Sequence, residues 1–181
     1  MGVIFTFDCG WLPRSLNTFN ISQMDPVGFV DTNTLSNSLP VFHIFQSKFC
    51  SSVEIGGLPE KVYFLDIARN AFCGPLDLSV MPSEMHCFLA LCNRFSASSD
   101  FSRLLVRLRK LDLGHNLFEG SIDLRGIPEE LNTVSLLSNK IEQATLVVHH
   151  IPTKCYSMDC DLIGPVYDTS GTEIPNKGRS V

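Results

Sequence analysis

Polar and apolar residues alternate along this chain in short bursts, and the bursts recur at a fixed distance. Between Leu108 and Phe118 the framework is Leu108, Leu111, Leu113, Asn116 and Phe118, with polar Asp112 between the two middle leucines. Apolar residues two apart around a polar one predict a strand with one buried face. Steps of 23 residues recover the same frame: Leu111 becomes Phe88 and Leu65, and Phe118 becomes Phe95, Phe72 and Phe49. Asn70, Asn93, Asn116 and Asn139 share that spacing of 23. Val134, Leu136 and Ile141 carry it forward, while Pro59, Pro82 and Pro128 close the units. Pro152 falls one residue late, which places a single insertion between Ile141 and Ile151. A period of roughly 20–29 residues marks a solenoid of stacked turns, each touching only its neighbours.

Each recurring position has a physical task. An asparagine at a strand end satisfies backbone groups with both halves of its amide, so the four asparagines predict an internal ladder. Ser47 holds the place one repeat earlier, where the ladder weakens. Phe49, Phe72, Phe95 and Phe118, continued by Ile141, predict a spine of stacked side chains in the core. Val53 and Ile55, Leu76 and Leu78, and Ile122 and Leu124 form a second alternation, read as a second strand or extended segment on each turn. The prolines that follow exclude long helices, so the outer side is expected to be extended or 3₁₀.

The pattern Leu-x-x-Leu-x-Leu-x-x-Asn-x-Leu/Phe, complete at 108–118 and nearly so at 62–72 and 131–141, resembles a leucine-rich repeat. Gly74-Pro75-Leu76 and Gly120-Ser121-Ile122 are similar to plant-type repeats. The endings at 77–82 and 123–128 are similar to the multi-copy leucine-rich repeat proteins of kinetoplastid protists. The resemblance implies an α/β but β-rich repeat solenoid: a right-handed horseshoe with a parallel sheet on its concave face and extended or 3₁₀ convex segments. Residues 1–35 read as an N-terminal cap or degenerate repeat, because Leu12-Pro13 and Leu39-Pro40 echo the repeat ending at spacings of 27 and 19. Residues 36–152 read as about five turns, and 153–181 as a C-terminal cap and flexible tail. In the 85–95 repeat, Ala90 takes an inward leucine position and Leu89 and Leu91 the outward ones, so that strand is either out of phase or presents apolar surface.

The 181 residues are 44% hydrophobic and carry a formal net charge of −5, enough for one core and without the basic stripe nucleic acid needs. The run Arg103, Arg107, Arg109 and Lys110 is broken by leucines and reads as a solvated edge, with a minor phosphate-contact alternative. No run of about 18 apolar residues predicts a transmembrane helix. Met1–Thr6 matches a myristoylation pattern and Asn20-Ile21-Ser22 a glycosylation sequon, both short. Seven cysteines are an odd number, and reduced thiols in a cytoplasmic protein are the favoured reading, with a secreted or surface location as the alternative.

No nucleophile elbow, P-loop or dinucleotide fingerprint is present, so no enzyme and no cofactor are expected. His149, His150, Cys155 and Cys160 are zinc-ligand types without a CxxC pair, and no metal site is assigned to them. Glu54, Asp77, Asp100 and Asp123 form a column at the repeat spacing, read as a solvated polar face rather than a cation ladder. The candidate binding residues are those pointing outward from the stacked strands: His43, Phe45, Phe64, Asp66, Leu89, Leu91, Lys110, Asp112, Ser135 and Leu137. Solenoids bind on such surfaces, so the expected function is a non-catalytic protein–protein interaction scaffold. A receptor or adhesion ectodomain fragment, and a decayed repeat protein, are the alternatives.

Overall fold

The computed structural model describes residues 4–23, 27–97, 101, 104–105, 107–142, 146–149, 152–161 and 166–174. They form a parallel β-solenoid of about six turns. One side is a seven-stranded sheet built in order from Thr18–Ser22, Val41–Phe45, Phe64–Asp66, Cys87–Leu89, Lys110–Asp112, Thr133–Ser135 and Ser157–Asp159. Every step is parallel. Phe19 lies beside Phe42, then Leu65, Phe88, Leu111 and Val134, each 23 residues on. The last step, Val134 to Met158, is 24, which absorbs the insertion between Ile141 and Ile151.

A second, five-stranded sheet runs through Cys50–Ser51, Ala71–Gly74, Arg94–Ala97, Leu117–Gly120 and Lys140–Ile141. It therefore centres on the phenylalanines, not on the alternation after them. Val53, Ile55, Leu76, Leu78, Ile122 and Leu124 are buried, but outside any strand. Here neighbours are 21 residues apart, as in Cys50 beside Ala71, so this sheet slides by two residues per turn against the repeat. Cys50 and Cys73 are consequently out of register.

No α-helix occurs among the described residues, and the helical component of the expected α/β class has no counterpart. Two strands and a proline-terminated corner use up the 23 residues of a turn. The corners instead carry 3₁₀ turns at Cys9–Trp11, Thr32–Thr34, Ile55–Gly57 and Leu78–Val80. The carboxylate column works here: Asp8, Asp31 and Asp77 each accept a hydrogen bond from the backbone N–H two residues on. Asp123 accepts one from Arg125 N–H in the same way. Such caps satisfy amide donors that a short turn leaves free. Glu54 makes no such cap, and its carboxylate accepts from Asn33 Nδ2 at 3.2 Å. Asp100 lies outside the described residues.

The register of 23 also reaches into residues 1–35, which read from the sequence as a cap or a degenerate repeat. Ile4–Asp8 pairs with Val27–Asp31, and Thr18–Ser22 with Val41–Phe45, both at an offset of 23. The carbonyls of Pro13, Ser36, Pro59, Pro82, Leu105, Pro128 and Pro152 each accept from the amide three residues on, closing the same tight turn seven times. Pro13 thus corresponds to Ser36 and Pro59, not to Pro40. At the other end, Leu146–Val148 pairs with Val166–Asp168, which folds back antiparallel onto Glu173–Ile174. Structure therefore continues to residue 174, and 175–181 lie outside the described residues.

Inside the coil, Phe49, Phe72, Phe95 and Phe118 are fully buried. The Phe49, Phe72 and Phe95 rings stack with centroids 6.3 and 6.4 Å apart. Phe7, Phe19 and Phe42 extend aromatic packing into the first turns, with centroids 5.3 Å apart at each step. Filling the narrow interior with one repeated ring shape lets successive turns superpose without voids.

Candidate functional site

The asparagines set the frame on which the outward face is mounted. Asn116 Nδ2 donates to the carbonyls of Ala90, Leu113 and Gly114, and its Oδ1 accepts from Phe95 N–H at 3.0 Å. Asn93 repeats this with Ile67, Ala90 and Leu91 as acceptors and Phe72 N–H as donor. Asn139 does so with Leu113, Leu136, Leu137 and Phe118. Asn70 Nδ2 also binds three carbonyls, of Ile44, Ile67 and Ala68. Its Oδ1, however, is buried without a partner among the described residues. Ser47 accordingly begins a different arrangement, and its hydroxyl donates to Phe45 O.

The residue before each of these positions bends the chain. Gln23, Gln46, Arg69, Cys92, His115 and Ser138 all have φ between 49° and 55°. Non-glycine residues seldom adopt this left-handed conformation. It brings the asparagine amide back beneath the strand. Gly74 and Gly120 take φ of 89° and 85° at the end of the second strand, and Ser51 takes 89° at the equivalent place without glycine's freedom.

Alternate residues of the seven-stranded sheet point away from the core in three rows. The first runs Thr18, Val41, Phe64, Cys87, Lys110, Thr133 and Ser157; the second Asn20, His43, Asp66, Leu89, Asp112, Ser135 and Asp159. The third follows two residues on, as Ser22, Phe45, Ala68, Leu91, Gly114, Leu137 and Asp161. All ten sequence-derived candidates fall on these rows. The 85–95 repeat is in phase, with Ala90 fully buried inside and Leu89 and Leu91 half-buried outside.

The rows differ in chemistry along their length. Through Val41–Leu91 they are largely apolar and pack on one another: Phe45 and His43 rings lie 5.8 Å apart, and Ala68 is only 3% exposed. Asp66, 6% exposed, is the buried charge in this stretch. Its carboxylate accepts from Ala68 N–H at 2.9 Å and lies 3.3 Å from His43 Nδ1, so it is satisfied where it sits. Burial pushes the Cys87 thiol up to about 11, with Lys110 opposing the shift, so it is a poor nucleophile at neutral pH.

From Lys110 onward the face becomes polar. Lys110, Asp112, Thr133, Ser135, Ser157 and Asp159 line a shallow cleft of about 220 Å³. Asp112 Oδ1 accepts from Gly114 N–H at 3.1 Å, and Asp159 Oδ2 from Ser157 Oγ at 2.5 Å. Thr133 Oγ1 is buried and has no hydrogen-bond partner among the described residues. Gly114 fits closely here: a Cβ would meet Leu91 Cδ1 and Ser135 Oγ at 3.2 Å, so those side chains would have to shift. Ser157, Asp159 and Asp161 are not among the ten candidates read from the sequence. Counting 24 instead of 23 across the insertion after Ile141 places Asp159 beside Ser135.

Two members of the basic run meet carboxylates along one edge. Arg107 pairs with Glu84 at 2.5 Å, Lys154 with Glu130 at 2.5 Å, and Arg109 approaches Glu130 at 3.8 Å. Arg103 lies outside the described residues. Asn20 is exposed on the terminal strand of the sheet. No disulfide joins the seven cysteines, and burial pushes Cys9 up to about 12. Among the described residues no three His, Cys, Asp or Glu side chains converge as metal ligands, and no helix is long and apolar enough to cross a membrane. His150 and Gly2 lie outside the described residues.

No protein-family model matches the chain, and no curated protein sequence does. Solved structures do. A plant ice-binding protein superposes with a TM-score of 0.54 at 12% identity, over 82% of this chain and 57% of its own. The Arabidopsis receptor kinase HAESA, solved with the peptide hormone IDA and the co-receptor SERK1, gives 0.50 at 18% identity, over 82% of this chain and 30% of its own. The shared property is the fold: a repeat solenoid like those of plant receptor ectodomains. The chain spans little more than half the length of the first of these proteins and under a third of the second.

Proposed function

We propose that this solenoid is a non-catalytic protein-binding scaffold whose partner lies along the outward face of the seven-stranded sheet. The observation that carries the reading is the face itself: Phe45, Phe64, Leu89 and Leu91 stand half-exposed on adjoining strands, next to a polar cleft at Lys110–Asp159. Adjoining apolar side chains rimmed by polar ones are the composition of recognition surfaces. The fold precedent agrees, since the HAESA chain of similar architecture was captured with a peptide hormone and a co-receptor. In this reading the array is a right-handed leucine-rich-repeat horseshoe and the sheet is its concave side. The kinship with kinetoplastid repeats rests on the Asp77–Pro82 and Asp123–Pro128 endings alone.

The test is selection of displayed random dodecapeptides on the immobilised chain, repeated with Phe64→Glu/Leu89→Glu. Peptides enriched on the parent chain and lost on the variant, with an unchanged circular dichroism spectrum, support the scaffold reading. Failure to enrich any peptide, or retention on the variant, overturns it.

A further inference from the structure

We infer that the cleft at the C-terminal end of the sheet receives the cationic side chain of an extended peptide, with an apolar residue of that peptide resting on Leu89 and Phe64. This rests on the scaffold reading and specifies its partner. The cleft's charge is the first argument. Asp112 and Asp159 flank Ser135 on adjacent strands, against the single cation Lys110. Asp161, exposed one position beyond, adds a third carboxylate near the rim. One oxygen of each flanking carboxylate is committed, Asp112 Oδ1 to Gly114 N–H and Asp159 Oδ2 to Ser157 Oγ. Their other oxygens face no protein donor among the described residues.

The second argument is the Thr133 hydroxyl, buried in the lining without a hydrogen-bond partner among the described residues. A buried polar oxygen left unpaired costs stability, and turning the half-buried Thr133 side chain toward an incoming N–H donor removes that cost. A guanidinium offers five donors in a planar fork, enough to reach two carboxylates and a hydroxyl together; an ammonium offers three. An anionic ligand would meet only Lys110 and be repelled by its neighbours.

The strands supply a spacing. Leu89 lies two strands from the cleft centre at Ser135, or about 9.6 Å at ~4.8 Å per strand. An extended chain advances ~3.3 Å per residue, so the cation and the apolar residue stand about three positions apart. Apolar-x-x-Arg, in either chain direction, is the motif the surface fits.

The experiment uses the dodecapeptides selected on the intact chain, then one fluorescein-labelled synthetic peptide carrying the enriched sequence. Enrichment of Arg or Lys about three positions from an aliphatic or aromatic residue is expected. Replacing that cation by Gln in the peptide should weaken binding at least about tenfold. The same loss is expected with the unaltered peptide on Asp159→Asn, and on Asp112→Asn/Asp159→Asn. The Gln peptide should lose little more on either variant. Enriched peptides that need Phe64 and Leu89 but show no cation preference would overturn this inference and leave the scaffold reading standing. Equal binding of the Gln peptide, which leaves the protein untouched, would overturn it in the same way. No enrichment at all would overturn both.

Discussion

The two faces of the seven-stranded sheet obey different rules, although the same strands build them. Inward, Phe42, Leu65, Phe88, Leu111 and Val134 are each no more than 1% exposed. Outward, the adjacent residues are His43, Asp66, Leu89, Asp112 and Ser135, no two consecutive ones alike. An interior side chain must fit the turns above and below, so whatever suits one turn is imposed on the next. An outward side chain meets solvent or a partner and carries no such obligation. The repeat is therefore information about stability, and departures from it on the outer surface are information about recognition.

The largest effect should come from the interior. Phe72→Ala removes a fully buried ring stacked on two others and should cost about 3–5 kcal/mol in urea unfolding. Outward Leu89→Ser should cost under about 1 kcal/mol. Equal losses at the two sites would erase the distinction between the faces.

Next comes the amide ladder, where two rungs can be set against each other. Asn116→Leu strands one amide and three carbonyls and should cost about 3 kcal/mol. Asn70→Leu should cost visibly less, because Asn70 Oδ1 already has no donor among the described residues. A larger loss at Asn70 would mean that its oxygen is satisfied after all.

The smallest effect belongs to the rim. Asp123 and Arg125 form an ion pair at an exposed corner, and Arg125 holds the Asp123 carboxyl down to about 2. A depressed carboxylate stabilises above its unfolded value near 4, and that contribution disappears as pH falls toward 2. Solvent screening at this exposed corner keeps it small. Arg125→Ala should therefore lower stability slightly at pH 7, and by less as pH falls through 2. A loss as large at pH 2 as at pH 7 would contradict this assignment.

How far the chain could be read in advance follows the same division. Leu111, Phe118, Asn116 and their equivalents announced strand, spine and ladder, because interior stacking writes itself as spacing. The first turn was hidden by comparing Pro13 with Pro40; its true counterpart, Pro59, lies two full periods away with Ser36 between. The second sheet was placed too late because Val53 and Ile55 alternate like a strand yet lie in a corner, buried by the 3₁₀ turn beginning at Ile55. The left-handed bends at Arg69, Cys92 and His115 carried no signal, since no glycine marks them. Burial of Asp66 on the outward side was likewise invisible: it depends on His43, a neighbour only after the turns have stacked.

The charged edge has a last consequence, for assembly rather than binding. Lys61, Glu84, Arg107, Glu130 and Lys154 occupy one corner position, turn after turn, and their signs alternate. A solenoid with identical interiors tolerates skipping a turn, since every leucine still meets a leucine. Skipping one here would set Glu84 against Glu130 and Arg107 against Lys154, trading attraction for repulsion at each contact. The alternation thus acts as a parity check, favouring the neighbour that follows directly over the one a single turn beyond it.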